Sequence, residues 1–267
     1  MRLILHKKLL HKGKKVSLST YIHTTEIHNM DSPRAIVPEL IRLFNPSSIV
    51  DMGCGLGTFV RAFKEEGISD VLGVDGPWVD HTLRGEIIQD DIFKAHELGK
   101  PLSLHQRYDL ALSLEVAEHL SEAEADIFID NLVGASDTII FSAAIPYQGG
   151  QNHINEQWLH YWVQKFKKRG YQLYDVLRFR FWEDKRVFHW YRQNMVVFST
   201  LDLGHLKTES PLDIIHPDFY LNKAVRLENI IQARRSPKFY LKLFFASLKN
   251  IFTKNTAPKD IPVFPEK

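Results

Sequence analysis

One short stretch restricts the fold more than any other: Ile49-Val50-Asp51-Met52-Gly53-Cys54-Gly55-Leu56-Gly57-Thr58-Phe59. An apolar pair leads into an acid, glycines follow at alternate positions, and then a helical spacing begins. The pattern reads as a buried strand, a tight turn and a helix start. Glycine permits positive φ and lets a ligand lie against the backbone. The unsatisfied N–H groups of a helix start favour an electronegative ligand group. A second apolar run, Asp70-Val71-Leu72-Gly73-Val74, ends in Asp75. In a strand–helix–strand unit a carboxylate at that remove from the glycines stands beside a ribose.

The rest of the chain continues the alternation. Residues 33–44 carry apolar side chains at helical spacing, after Asp31-Ser32 and before Asn45-Pro46. Strands are expected at 48–52, 70–74, 86–92, 108–114, 138–143, 171–178 and 190–199. Helices are expected at 57–66, 122–133, 155–169, 221–235 and 238–252. Strands alternating with helices, then a closing strand pair, give an α/β three-layer sandwich. The domain reading is a basic extension over 1–30 that ends in a short lid segment, the core domain over 31–200, and a helical extension over 201–267. The last dozen residues, with three prolines, read as a loose tail.

At 267 residues the chain can bury one sizeable core with extensions. A formal net charge of +2 does not by itself argue for a nucleic-acid partner. The single cysteine, Cys54, excludes an internal disulfide and fits a reducing compartment. Within the glycine turn it reads as a small residue rather than a nucleophile. Lys7-Lys8 break the N-terminal apolar run too early for a signal peptide, so export is not expected. No apolar run reaches the roughly 18–20 residues that span a bilayer.

A nicotinamide dinucleotide site calls for G-x-G-x-x-G. Gly53 and Gly55 fit it, but Thr58 stands third and Gly57 is extra. The pattern D-x-G-x-G-x-G resembles motif I of the class I S-adenosylmethionine-dependent methyltransferases. That resemblance implies S-adenosylmethionine as cofactor, with Gly53, Gly55 and Gly57 passing close to its methionine part and Asp75 holding its ribose hydroxyls. Asp51, at the head of the motif, joins the cofactor set. The family has an acid after the third strand that contacts the adenine amino group; Asp91 matches best and Asp90 next. The implied fold is a Rossmann-like α/β/α sandwich whose seven-stranded sheet is mostly parallel. Its seventh strand is antiparallel, between the fifth and sixth.

Methyl transfer to a hydroxyl needs a positioned acceptor and a route for its proton. Glu115, Glu118 and His119 stand at i, i+3 and i+4 after the fourth strand, and a helical turn would put all three on one face. His153 follows the fifth strand. The carboxyl edge of the sheet would bring both loops to one crevice. E-x-x-E-H with a distant histidine resembles the metal site of the small-RNA 2′-O-methyltransferases and is similar to the ubiquinone-pathway O-methyltransferases. Glu115, Glu118, His119 and His153 could hold Mg²⁺ or Mn²⁺. Alternatively His153 or His119 acts as a metal-free base beside Glu118, or the group is structural.

Residues 141–199 resemble a group of bacterial methyltransferases that occur with surface-polysaccharide and glycosylation genes. The residues carrying that likeness are Phe141 to Pro146, Gly149-Gly150, His153, Asn155 to Trp158 and Trp190 to Asn194. The expected reaction is therefore O-methylation of a sugar hydroxyl in a glycan or glycolipid precursor. RNA 2′-O-methylation and a non-catalytic assembly role are the alternatives. Trp158, Tyr161, Trp162, Trp182, Trp190 and Tyr191 could form a sugar-stacking wall, although Trp158 and Trp162 also suit a core. Arg178, Arg180 and Arg192 could hold a phosphate or carboxylate, although surface ion pairs are their bland reading. The basic, apolar stretch 238–254 suits a packed helix, a dimer contact or a helix on an anionic membrane. The expected location is the cytoplasm, with peripheral contact at the inner membrane face as the extension's role.

Overall fold

The computed structural model describes residues 21, 23, 24, 27–204 and 213–253. Two compact units meet in sequence at His216 and Pro217. The basic segment 1–20 and the tail 254–267 lie outside the described residues.

The first unit opens with α1 (Asp31–Phe44), whose Ile36, Val37 and Leu40 are buried. Strand β1 (Ser48–Met52) follows, then α2 (Thr58–Glu65) and β2 (Asp70–Asp75). The short helix α3 (His81–Gly85) precedes β3 (Phe93–Ala95). Strand β4 (Leu110–Leu114), α4 (Glu122–Ala135) and β5 (Thr138–Ser142) complete the next crossover. The chain continues through α5 (Leu159–Lys167), β6 (Gln172–Tyr174), α6 (Leu177–Phe181), α7 (His189–Asn194) and β7 (Val196–Ser199).

The strands form one sheet in the order β3-β2-β1-β4-β5-β7-β6. Strands β3, β2, β1, β4 and β5 run parallel, and β7 lies antiparallel between β5 and β6. This is the expected three-layer arrangement. Strands β1, β4 and β5 are buried on both faces and mostly apolar because helices cover both. Phe128 of α4 with Trp162 and Phe166 of α5 pack on one face. Ile36 and Leu40 of α1, Phe63 of α2 and Leu177 of α6 pack on the other. Strand order reverses between β1 and β4, so a crevice opens at their carboxyl ends.

Three expected strands take a different form. Residues 86–92 do not make the third strand; Asp90–Ile92 is a 3₁₀ turn and β3 begins at Phe93. Asp80 caps α3 by accepting from Leu83 N–H, and Arg84 pairs with Asp90 at 2.7 Å, which holds that segment in turns. The sixth strand stops at Tyr174, where the buried Asp175–Arg178 pair bridges one turn into α6. The seventh begins only at Val196. Gln193 and Asn194 spend their side chains on His216 N–H and Glu115, and α7 presents them there.

The second unit holds α8 (Pro217–Ile231) and α9 (Pro237–Thr253). Among the described residues no helix is long and apolar enough to cross a membrane.

Candidate active site

The glycine turn after β1 needs its glycines on two grounds. Gly53, Gly55 and Gly57 have φ of 90°, 54° and 87°, where L side chains are strained. A Cβ on Gly53 would also lie 2.3 Å from Val116 Cγ2, and one on Gly57 2.4 Å from Ile88 Cδ1. The turn after β1 is therefore pressed against the turn after β4. Gly57 is the left-handed N-cap of α2 and offers no side-chain cap to that helix. Cys54 is buried, and burial with the charges of Asp75 and Asp51 pushes its thiol up. A neutral thiol is no nucleophile, in line with the small-residue reading.

Asp75 ends β2. Its Oδ2 accepts from Gly55 N–H at 2.7 Å and its Oδ1 from Gly76 N–H at 2.6 Å. Burial raises its pKa to about 6, against those two hydrogen bonds. A carboxylate has roughly four acceptor sites, so two remain for further donors. Asp51 is more deeply enclosed, at 3% exposure. Burial and the neighbouring charge of Asp75 push it up to about 8. Asp91 is exposed on the 3₁₀ turn before β3. Asp90 is engaged by Arg84 and His81.

Rings from the N-terminal segment cover the glycine turn. His23 Cδ2 and His28 Cε1 both stand 3.2 Å from where a Gly55 Cβ would be. Tyr21 meets the His119 ring edge-on at 5.2 Å. Burial raises the Tyr21 pKa, and the charges of Glu118, Asp75 and Glu115 add to the shift. Tyr21 thus feels the charges of Asp75 on one side of the crevice and of Glu115 and Glu118 on the other. These three side chains come from the end of the 1–30 extension.

Across the crevice, a 3₁₀ turn at Ala117–His119 follows β4. Glu118 is fully buried, and neither carboxylate oxygen has a hydrogen-bond partner among the described residues. Burial pushes its pKa well up, and the charge of Glu115 adds to this. His153 Nε2 lies 4.0 Å from Glu118 Oε1. Its Nδ1 lies 2.9 Å from Glu156 Oε1. Glu156 is anchored in turn by Tyr147 N–H at 2.7 Å and Gly149 N–H at 2.6 Å. His119 packs edge-on to His153 at 4.8 Å, its Nδ1 without a partner among the described residues. Burial, then the His153 charge, lowers the His119 pKa to about 4, so it is neutral at physiological pH.

One ligand atom each from Glu118, His119 and His153 lie within 4.8 Å of one another. Two imidazoles and a buried carboxylate suit a divalent cation. Glu115 stands outside that cluster, contrary to the expected four-residue set. The turn is 3₁₀ rather than α, and Glu115 itself takes a φ of 58°, so the i, i+3 relation does not hold. Its carboxylate instead accepts from Gln148 at 2.6 Å and Asn194 at 3.1 Å.

The six aromatic residues do not make one wall. Trp162 is core, packed on Phe141, with Tyr161 against it. Trp182 packs on His216, and Trp190 stacks on Phe188. Trp158 and Trp162 line a cavity of about 10 Å³, room for a water molecule and no sugar. The three arginines are also committed. Arg178 pairs with Asp175, Arg180 with Glu39, and Arg192 donates to Trp182 O.

Glu156, Tyr21, His23 and His28 stand beside these groups, and residue type and spacing did not single them out as candidates. The only available signal was Glu156 at i+3 from His153, a common spacing.

A family model described as a methyltransferase domain matches residues 27–180. Among solved structures, the methyltransferase domain of bacterial CtHen1 is 19% identical, with 64% of this chain and 100% of that chain covered and a TM-score of 0.45. The magnesium protoporphyrin IX methyltransferase of Synechocystis PCC 6803, solved with bound SAH, is 14% identical, with coverages of 62% and 80% and a TM-score of 0.44. The glycopeptide N-methyltransferase MtfA is 10% identical, with coverages of 62% and 89% and a TM-score of 0.44. No curated protein matches.

Proposed function

The chain belongs to the methyltransferase domain family, and from that premise we propose that it methylates a sugar hydroxyl of a glycan or glycolipid precursor. S-adenosylmethionine supplies the methyl group, as a sulfonium with its own leaving group. Asp75 would bind the ribose hydroxyls with its two remaining acceptor sites. Gly53, Gly55 and Gly57 would line the methionine side, and Asp91 would reach the adenine. The sugar class rests on the likeness of residues 141–199 to methyltransferases found with glycan genes.

The observation that carries the reading is the Glu118–His119–His153 cluster at the end of β4. A hydroxyl acceptor must lose a proton. His153 is oriented by Glu156, which leaves Nε2 to face the cluster and take that proton. The unpartnered oxygens of Glu118 favour a second use of the same atoms. With His119 and His153 they would hold Mg²⁺ or Mn²⁺, which lowers the pKa of a bound hydroxyl. In either case Glu118 and the two histidines face the acceptor, and Glu115 braces the loops that carry them.

Calorimetry with S-adenosylmethionine tests the donor. Formation of S-adenosylhomocysteine on addition of nucleotide-sugars or lipid-linked sugars, with mass spectrometry of the product, tests the acceptor. Binding of the donor with turnover only on RNA would replace the sugar by a ribose 2′-hydroxyl. Binding without turnover on any acceptor would point to an assembly role. Activity unchanged by chelator would remove the ion and leave His153 as base.

A further inference from the structure

The second unit is basic and apolar in a way that the methyltransferase site does not use. Residues 217–253 hold seven lysines or arginines against two acids, whereas the whole chain has a net charge of only +2. Helix α9 contains no acid at all. Its Leu241, Phe244 and Phe245 are 57%, 58% and 60% exposed. Spaced by three and four residues, they share one face of the helix. Lys238 and Lys242, one turn apart, run along an edge of that face. In α8, Tyr220, Leu227 and Ile231 recur at i, i+7 and i+11 and are likewise exposed. The Tyr240 hydroxyl at the start of α9 donates to the carbonyls of Asn229 and Ile230 at the end of α8. That pins the corner between the two helices.

We infer that this helix pair lies on the surface of an anionic lipid bilayer. The apolar face of α9 would enter the interface, and its lysines would reach the headgroups. Exposed leucine and phenylalanine are costly in water and favourable at the acyl boundary. Lysines bordering such a face bury their methylene stems and keep the ammonium at headgroup level. The excess of positive charge fits an acidic lipid surface. Neither helix is long and apolar enough to span, so the contact is peripheral.

Co-sedimentation of the full chain with vesicles of phosphatidylglycerol and phosphatidylcholine, against vesicles of phosphatidylcholine alone, tests the inference. The expected result is binding to the acidic vesicles that weakens as salt is raised. Phe244→Glu with Phe245→Glu should reduce it at least tenfold, and Lys238→Glu with Lys242→Glu should reduce it by a similar factor. Both pairs are solvent-facing, and donor binding by calorimetry should be unchanged in each, which checks that the chain is folded. No vesicle binding by the wild type would overturn the inference. So would binding that ignores both variants, or a lipid-free dimer that only the Phe244/Phe245 variant disrupts, which would make a second copy the occupant.

Discussion

His153 turns Nδ1 to Glu156 at 2.9 Å and Nε2 toward the buried Glu118 carboxylate at 4.0 Å. A carboxylate behind an imidazole selects the tautomer and holds the ring plane. Glu156 can do so because two backbone N–H groups of the same loop hold its own oxygens.

Removing the negative charge at Glu156 should therefore act through His153. Glu156→Gln is expected to lower kcat about 10- to 100-fold. KM for the donor should stay near the wild-type value, and so should the far-UV spectrum. Steady-state kinetics on the sugar acceptor checks it; an unchanged kcat would separate Glu156 from the reaction.

Glu118 offers a trade between stability and activity. It is fully buried and stands near the charge of Glu115, so the ionised form is penalised. Glu118→Gln should keep or raise the melting temperature at pH 8 while activity falls at least tenfold. If a divalent ion is used, wild-type activity should drop in chelator and return with Mg²⁺ or Mn²⁺, whereas the residual activity of the variant ignores both. A melting temperature several degrees lower in the variant would contradict this account.

The two glycines at the ends of the turn should be intolerant for steric reasons as well as for φ. Gly53→Ala meets Val116, and Gly57→Ala meets Ile88. Each should cost about 1–3 kcal/mol in denaturant unfolding without any ligand present. Val116→Ala should recover part of the Gly53→Ala loss. Equal losses in the single and double variants would rule out the contact as the cause.

Loss of the acid at the end of β2 should be read in donor affinity. Asp75→Asn leaves an amide that cannot accept from both Gly55 and Gly76 and also from a ribose. The Kd for S-adenosylmethionine is expected to rise at least tenfold, as for a lost charge-assisted hydrogen bond worth about 1.5–3 kcal/mol. Calorimetry measures it directly.

Stability should fall as pH rises through the range where Asp51 ionises. Its folded pKa is raised to about 8 by burial and by Asp75, above an unfolded value of about 3.9. The folded state holds the proton where the unfolded chain has lost it, so the slope of stability with pH is negative between those values. The melting temperature should be higher at pH 5 than at pH 8.5 from this group. Asp51→Asn should flatten that difference, which scanning calorimetry at the two pH values would show.

Much of the fold was legible because it rests on local pattern. Largely apolar runs mark β1, β4 and β5, and the helix expected at 122–133 is α4. Errors collected where a side chain far along the chain decides the backbone. Residues 190–194 have strand-like composition, yet Arg192 bonds to Trp182 O and Asn194 to Glu115, and the segment coils into α7. Residue type left Trp162 open between core and acceptor wall, and Arg178 between ion pair and anion contact; burial and partners place both in the framework.

By itself, the order of residues determined the strand–turn–helix with its three glycines, the acid closing the next strand, and the presence of Glu118, His119 and His153 in two separate loops. Steric limits on φ and the period of apolar side chains operate over a few neighbours, so they can be read along a line. Only the tertiary structure decided that Glu118 is fully buried, that Glu115 faces Asn194, and that Glu156 stands behind His153. Desolvation and hydrogen-bond geometry depend on which chain segments meet in space, and that is settled by packing the sheet.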